Sequence, residues 1–233
     1  PFMRKTKIVC TIGPACDSEE TLERMCLAGM NVARLNFSHG THPEQQAKMD
    51  RVKRVREKLG LPIAIMLDTK GPEYRIRTFA GGSVELKEGD PFTFTTAPIV
   101  GDQGRVSVSY AGLMGDLAVG DRILLNNGLM AFTVEELTDT EARCRVLVGG
   151  TLSNNKSMSF PNKVMSQVYL SEQDKADLLL GLENEVDYVA CSFVSRKQDI
   201  LDVKDFIAQH TDRYIGLIAK IENQAGIDNI EEI

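Results

Sequence analysis

The order of textures along the chain limits its fold more than any single motif. Residues 6–12 are rich in β-branched side chains and stop at Gly13-Pro14, as a strand does on meeting a turn. Asp17 and Glu20 then form a helix start signal, Leu22, Met25 and Cys26 follow at helical spacing, and Gly29 stands just past the end. A second strand over 31–38 leads to a helix with Pro43 in its first turn and Gly60 at its close, and 62–68 reads as a third strand. Strand, helix, strand, helix, strand, with mostly apolar strands, predicts a parallel sheet covered by helices.

From about residue 74 the texture changes to short alternating segments at 83–86, 92–96, 105–110, 122–125, 129–137 and 142–148, with no helical period. Turn residues punctuate them, and Asn127-Gly128 predicts a hairpin turn. Strand and helix alternation resumes near Ser171, the expected N-cap of a helix over 171–182. A strand over 186–193, a helix over 197–209 and a strand over 214–222 follow. The expected architecture is α/β: part of a TIM (β/α)8 barrel over 1–73 and 170–233, interrupted by an inserted all-β barrel domain over 74–169.

Composition narrows the function classes. With 42% hydrophobic and 26% charged residues the chain is ordinary globular protein, not a disordered or collagen-like one. A net charge of −6 argues against a general nucleic-acid binder, because such affinity comes from many Lys and Arg contacts to phosphate. The basic run Arg51, Lys53, Arg54, Arg56 and Lys58 has helical spacing and reads as a solvated helix face. Five scattered cysteines without a CxxC pair fit reduced thiols, so the cytoplasm is the expected compartment. No apolar run approaches the roughly 18 residues of a membrane span, and no leader pattern opens the chain. Pro1 and Phe2 precede Met3 and read either as a cloning remnant or as part of a longer natural N-terminus.

Polar groups gather at the C-terminal ends of the α/β strands: Arg34, Asn36 and Ser38, then His39-Gly40; Asp68-Thr69-Lys70; Ser192 and Arg196; Lys220 and Glu222. Alternation places Arg34, Asn36 and Ser38 on one face, and Lys220 with Glu222 on another. In a barrel those faces are the interior, and the C-terminal rim is where such barrels do chemistry. Arg34 and Lys220 suit phosphate, while Glu222, Asp68, Asn36 and Ser38 are hard oxygen donors that favour Mg, Mn, Ca or an alkali cation. Taken singly, each has a structural explanation: an ion pair for Arg34, a polar turn for His39, an internal salt bridge for Lys220 and Glu222, a cap for Asp68-Thr69. Their coincidence on one edge favours a phosphate and divalent-metal barrel.

Six segments, in order, resemble pyruvate kinases: Thr6 to Ala15, Ala33 to Gly40, Leu67 to Glu73 with Arg75, Ser171 to Asp177, Ser192-Phe193, and Ala219 to Asn223. The resemblance implies phosphoryl transfer from phosphoenolpyruvate to ADP, giving pyruvate and ATP, in a cytoplasmic homotetramer that binds neither nucleic acid nor membrane. It implies that Lys220 stabilises charge on the transferring phosphoryl group and the enolate oxygen, and that Arg34 contacts the phosphate. It implies Glu222 as a ligand of Mg2+ or Mn2+, and Asn36, Ser38, Asp68 and the Thr69 carbonyl as ligands of K+. Nucleotide contacts would come from Pro14, Asn36, His39, Arg75 and Lys156. Glu73 in this setting implies dependence on potassium, since a carboxylate there needs a compensating cation. The inserted β domain resembles the family's mobile lid, and Asn126-Asn127, Ser157, Asn162 and Tyr74 depart from the family pattern, all in that lid or its hinge.

A barrel of this kind needs eight strands and typically ~250 residues. With five α/β strands in 233 residues, the chain is expected to stop before the barrel closes, within the helix after the fifth strand, and to have little activity alone. Another barrel enzyme of phosphoenolpyruvate or pyruvate, or a non-catalytic binding fragment, remain alternatives.

Overall fold

The structure is a computed structural model that describes residues 4–233; the reading of Pro1 and Phe2 falls outside the described residues. The elements run β1 (Val9–Thr11), α1 (Glu19–Ala28), β2 (Val32–Asn36), α2 (His42–Leu59), β3 (Ala64–Asp68), β4 (Ser83–Leu86), β5 (Pro91–Thr95), β6 (Arg105–Ser107), α3 (Leu113–Asp116), β7 (Arg122–Leu125), β8 (Met130–Leu137), β9 (Glu141–Val148), β10 (Gly150–Ser153), β11 (Met158–Ser159), α4 (Glu172–Glu183), β12 (Tyr188–Cys191), α5 (Lys197–Ala208), β13 (Gly216–Ala219) and α6 (Gln224–Asp228). They form two compact units. One comprises 1–72, 169–222 and 229–233, the other 73–168 and 223–228.

The first unit holds a five-stranded sheet in the order β1-β2-β3-β12-β13, parallel throughout, the curled half of a TIM barrel. Alternation sorts its side chains. Ala33, Leu35, Ile65, Leu67, Val189 and Cys191 are buried toward the helices and pack with Met49, Val52, Val55, Leu178 and Val203. Each such Leu contributes about 1.5–3 kcal/mol by leaving water. The opposite face carries Val32, Met66 and Ala190 as a small apolar layer. Above that layer the same face carries Arg34 and Asp68, and the register sets Asn36 beside Asp68 and Asp68 beside Ala190.

Local chemistry fixes the helices. Thr41 and Glu44 form a reciprocal capping box at the start of α2, and Gly29 and Gly60 close α1 and α2 in the left-handed conformation. Ser171 caps α4 by accepting from the N–H of Asp174 at 3.0 Å. Among the described residues no helix is long and apolar enough to cross a membrane.

In the second unit a six-stranded sheet runs β11-β7-β8-β9-β5-β6, and β4 pairs with β10. Isolated bridges Arg75 with Ser157 and Ile76 with Val108 tie a single segment to residues beside both edge strands. Its core centres on Phe92, Phe94 and Phe132, whose rings pack with centroids 5.2–5.8 Å apart. The second unit is not purely β, since it includes α3 and α6. Residues 223–228 group with it, whereas the sequence reading keeps 170–233 as one segment.

Candidate active site

Asp68 closes β3 with only 2% of its side chain exposed, so its charge needs partners at the sheet surface. Arg34 Nε and Nη2 both lie 2.6 Å from Asp68 Oδ2, and Arg34 Nη1 donates to Thr11 Oγ1 at 2.6 Å. The guanidinium therefore grips one carboxylate oxygen with two N–H groups. Lys220 Nζ approaches from the other side, 2.9 Å from Oδ1 and 3.2 Å from Oδ2. The Arg34 and Lys220 side chains keep 28% and 26% of their exposure, so both cations rest on a buried carboxylate with one face to solvent.

Lys220 and Glu222 lie beyond β13, not within it as the sequence pattern predicts, and the segment is held by other bonds. Lys220 N–H donates to the Cys191 carbonyl at 3.0 Å, and Val194 N–H donates to the Lys220 carbonyl at 3.1 Å. Lys220 Nζ stands 3.4 Å from Glu222 Oε1, so the internal salt bridge is present alongside the contact to Asp68. Glu222 Oε2 accepts from the N–H of Phe193 at 2.9 Å. Phe193 has φ +54, a left-handed conformation that costs a bulky residue energy and turns its amide toward Glu222.

Ser192 joins these groups, a role its sequence context did not reveal. Its side chain is buried, and its Oγ lies 2.9 Å from Lys220 Nζ, 3.0 Å from Asp68 Oδ1 and 2.6 Å from the Thr69 carbonyl. Burial pushes the neighbouring Cys191 thiol up to about 12, so it stays protonated as a packing group.

The other expected residues divide between the two units. Asn36 Oδ1 accepts from the Ser38 N–H at 3.0 Å, and Phe37 N–H donates to the Asp68 carbonyl, so both lie at the same strand end. Ser38 lies in the turn after β2 rather than on its face, and it is exposed, as are His39 and Pro14. His39 is held through its backbone, where its carbonyl accepts from Gln45 Nε2 at 2.7 Å. Arg75 and Lys156 belong to the second unit, as does Glu73. There Arg75 ion-pairs with Glu73 and donates to the Asn155 carbonyl at 2.6 Å.

A profile of the pyruvate kinase barrel domain matches residues 3–233. The chain belongs to the pyruvate kinase family. Proteins named pyruvate kinase from Staphylococcus haemolyticus and Clostridium perfringens are each 44% identical to it over 99% of its length, and one from Geobacillus stearothermophilus is 41% identical over 99%. The chain spans 40%, 49% and 40% of those three relatives. Among the described residues no three His, Cys, Asp or Glu side chains gather as a metal cluster. Of the two carboxylates at this pyruvate kinase family rim, Asp68 is engaged by both cations and Glu222 by one cation and one amide.

Proposed function

We propose that this chain supplies the phosphoryl-transfer half of a pyruvate kinase site: phosphoenolpyruvate and ADP become pyruvate and ATP. The observation that carries the reading is the convergence of Arg34 and Lys220 on buried Asp68, with Ser192 beneath Lys220. Such an arrangement holds two cations ready without reorganisation, the feature that matters most where charge redistributes in a transition state.

In this reading Arg34 turns its exposed edge to the substrate phosphate, and Lys220 meets the transferring phosphoryl group and the enolate oxygen. Glu222 would hold a divalent cation; Asn36, Ser38, Asp68 and the Thr69 carbonyl would hold a potassium ion. These donors are all oxygens, which fits such ions. When bound, the cations supply positive charge and a fixed template for the phosphates. Pro14, Asn36, His39, Arg75 and Lys156 are the proposed nucleotide contacts, with the second unit as a lid. A cytoplasmic homotetramer is the proposed assembly.

The test is pyruvate release from phosphoenolpyruvate, ADP, Mg2+ and K+, measured on this chain and on the longest product of its gene. Turnover by the longer protein supports the reading; no turnover by either rejects it in favour of a binding role. Lys220→Met in the active protein is expected to lower kcat about 100-fold to 1,000-fold with a much smaller change in KM.

A further inference from the structure

Tyr169 opens the segment that returns to the first unit and is buried, with 6% exposure. A buried phenol needs a partner for its O–H, and this one donates to the Ser192 carbonyl at 2.7 Å. Burial pushes the pKa of the Tyr169 phenol up, so the group remains a donor at neutral pH.

The Ser192 peptide is thereby fixed from three directions. Its N–H donates to Thr69 Oγ1 at 3.1 Å, its carbonyl accepts from Tyr169, and Gly71 lies so close that a Cβ there would come within 2.7 Å of the Ser192 carbonyl oxygen. With the backbone held, only the side-chain torsion of Ser192 is left to settle. Its hydroxyl has one proton to give, to the Thr69 carbonyl or Asp68, and it accepts from Lys220. The direction of the Lys220 ammonium thus depends on where the Ser192 peptide sits.

We propose that Tyr169 is a positioning residue for Lys220 and acts through Ser192: its hydroxyl anchors the Ser192 carbonyl so that Ser192 Oγ holds the ammonium against Asp68. The kinetic consequence rests on the pyruvate kinase reading above, whereas the structural consequence does not. Tyr169→Phe keeps the ring and removes one O–H. In the full-length gene product kcat is expected to fall about 10-fold, with KM for phosphoenolpyruvate changed less than about twofold.

The second measurement is independent of turnover. In protein labelled at lysine Cε, with the Lys220 signal assigned by Lys220→Arg, Tyr169→Phe is expected to move that signal. Ser192→Ala is expected to move it too, and Tyr169→Phe added to Ser192→Ala should then have little further effect, as coupled positions do. A lower melting temperature with an unmoved Lys220 signal would reduce Tyr169 to a structural role and overturn the proposal. Additive effects of the two substitutions would overturn the route through Ser192. Absence of turnover in the wild-type full-length protein would reject the enzymatic reading, while the lysine signal would still decide the role of Tyr169.

Discussion

Gly71 has φ +68, and a Cβ built on it would lie 2.7 Å from the Ser192 carbonyl oxygen and 2.9 Å from the Ser192 Cβ. Two separate terms oppose any side chain there. The left-handed backbone costs a non-glycine residue roughly 1–3 kcal/mol, and the contact with Ser192 adds displacement of a peptide that three groups hold. Gly71→Ala is therefore expected to lower the melting temperature and to reduce kcat through the shift of Ser192; a wild-type melting curve with unchanged turnover would count against this account. The residues that meet at Asp68 were legible in the sequence, because Arg34, Asp68 and Lys220 all fall at the C-terminal ends of the expected α/β strands, although Lys220 was expected within its strand and lies just beyond it. Ser192 was placed at that edge but without a role, and Tyr169 was not singled out, since their roles rest on pairings across 23 to 124 positions that no local pattern encodes. Three of the residues that depart from the family pattern have a backbone explanation. Asn126, Asn127 and Asn162 adopt left-handed φ values of +52, +56 and +59, which asparagine tolerates better than other non-glycine residues.

At the scale of elements, the periodic signals located α1, α2, α4 and α5 well, missed α3, and placed the strands loosely. Helix α1 is capped by Ser18, whose Oγ accepts from the Thr21 N–H at 3.2 Å, and not through the Asp17 signal. Asp17 stands one residue too early and pairs with Arg51 of α2 at 2.9 Å. The Asn127-Gly128 hairpin exists, but β7 and β8 join through four residues, with Asn126 also left-handed. Strands β10 and β11 escaped the sequence reading because Gly149-Gly150 and Asn154-Asn155 look like turns, and β11 is only two residues long. In the second unit, Asp116 at the end of α3 accepts from Ser166 N–H at 3.0 Å, Ser166 Oγ at 2.6 Å and Tyr110 Oη at 2.8 Å. Burial opposes ionisation of Asp116, but these donors outweigh it and hold the carboxyl below its ordinary range. A carboxyl depressed in the folded state stabilises the fold above its unfolded value, about 3.9, and loses that contribution as pH falls through the folded value. The second unit is thus expected to lose stability at acidic pH, and Asp116→Asn should flatten that part of the profile in denaturant unfolding followed by circular dichroism. An unchanged acid limb would show that Asp116 adds nothing to it.

For the whole molecule, a net charge of −6 must be reconciled with the strongly anionic substrate of the proposed function. Phosphoenolpyruvate carries a carboxylate and a phosphate, together about −2.5 to −3. Within the first unit Arg34 and Lys220 are offset by Asp68 and Glu222, and within the second Arg75 is offset by Glu73. The first set is neutral and Lys156 leaves the second at +1, so in the proposed function the chain would provide direction for the phosphates but little surplus charge. Added cations are the physical complement: a divalent and a monovalent ion together bring +3, close to the substrate's charge. The pairing of Glu73 with Arg75 means that the Glu73 carboxylate already has a protein partner, so under the proposed potassium requirement its link to the ion would run through the charge it removes from Arg75. Replacing K+ by tetramethylammonium in the active gene product is accordingly expected to lower turnover at least about 10-fold, the weight of roughly 1.4 kcal/mol in the barrier. Glu73→Lys, which adds a cation and releases Arg75, should recover part of that loss in potassium-free buffer. Equal rates in both buffers would sink the requirement. A requirement undiminished in Glu73→Lys would keep the potassium but place its origin in the Asp68 cluster alone.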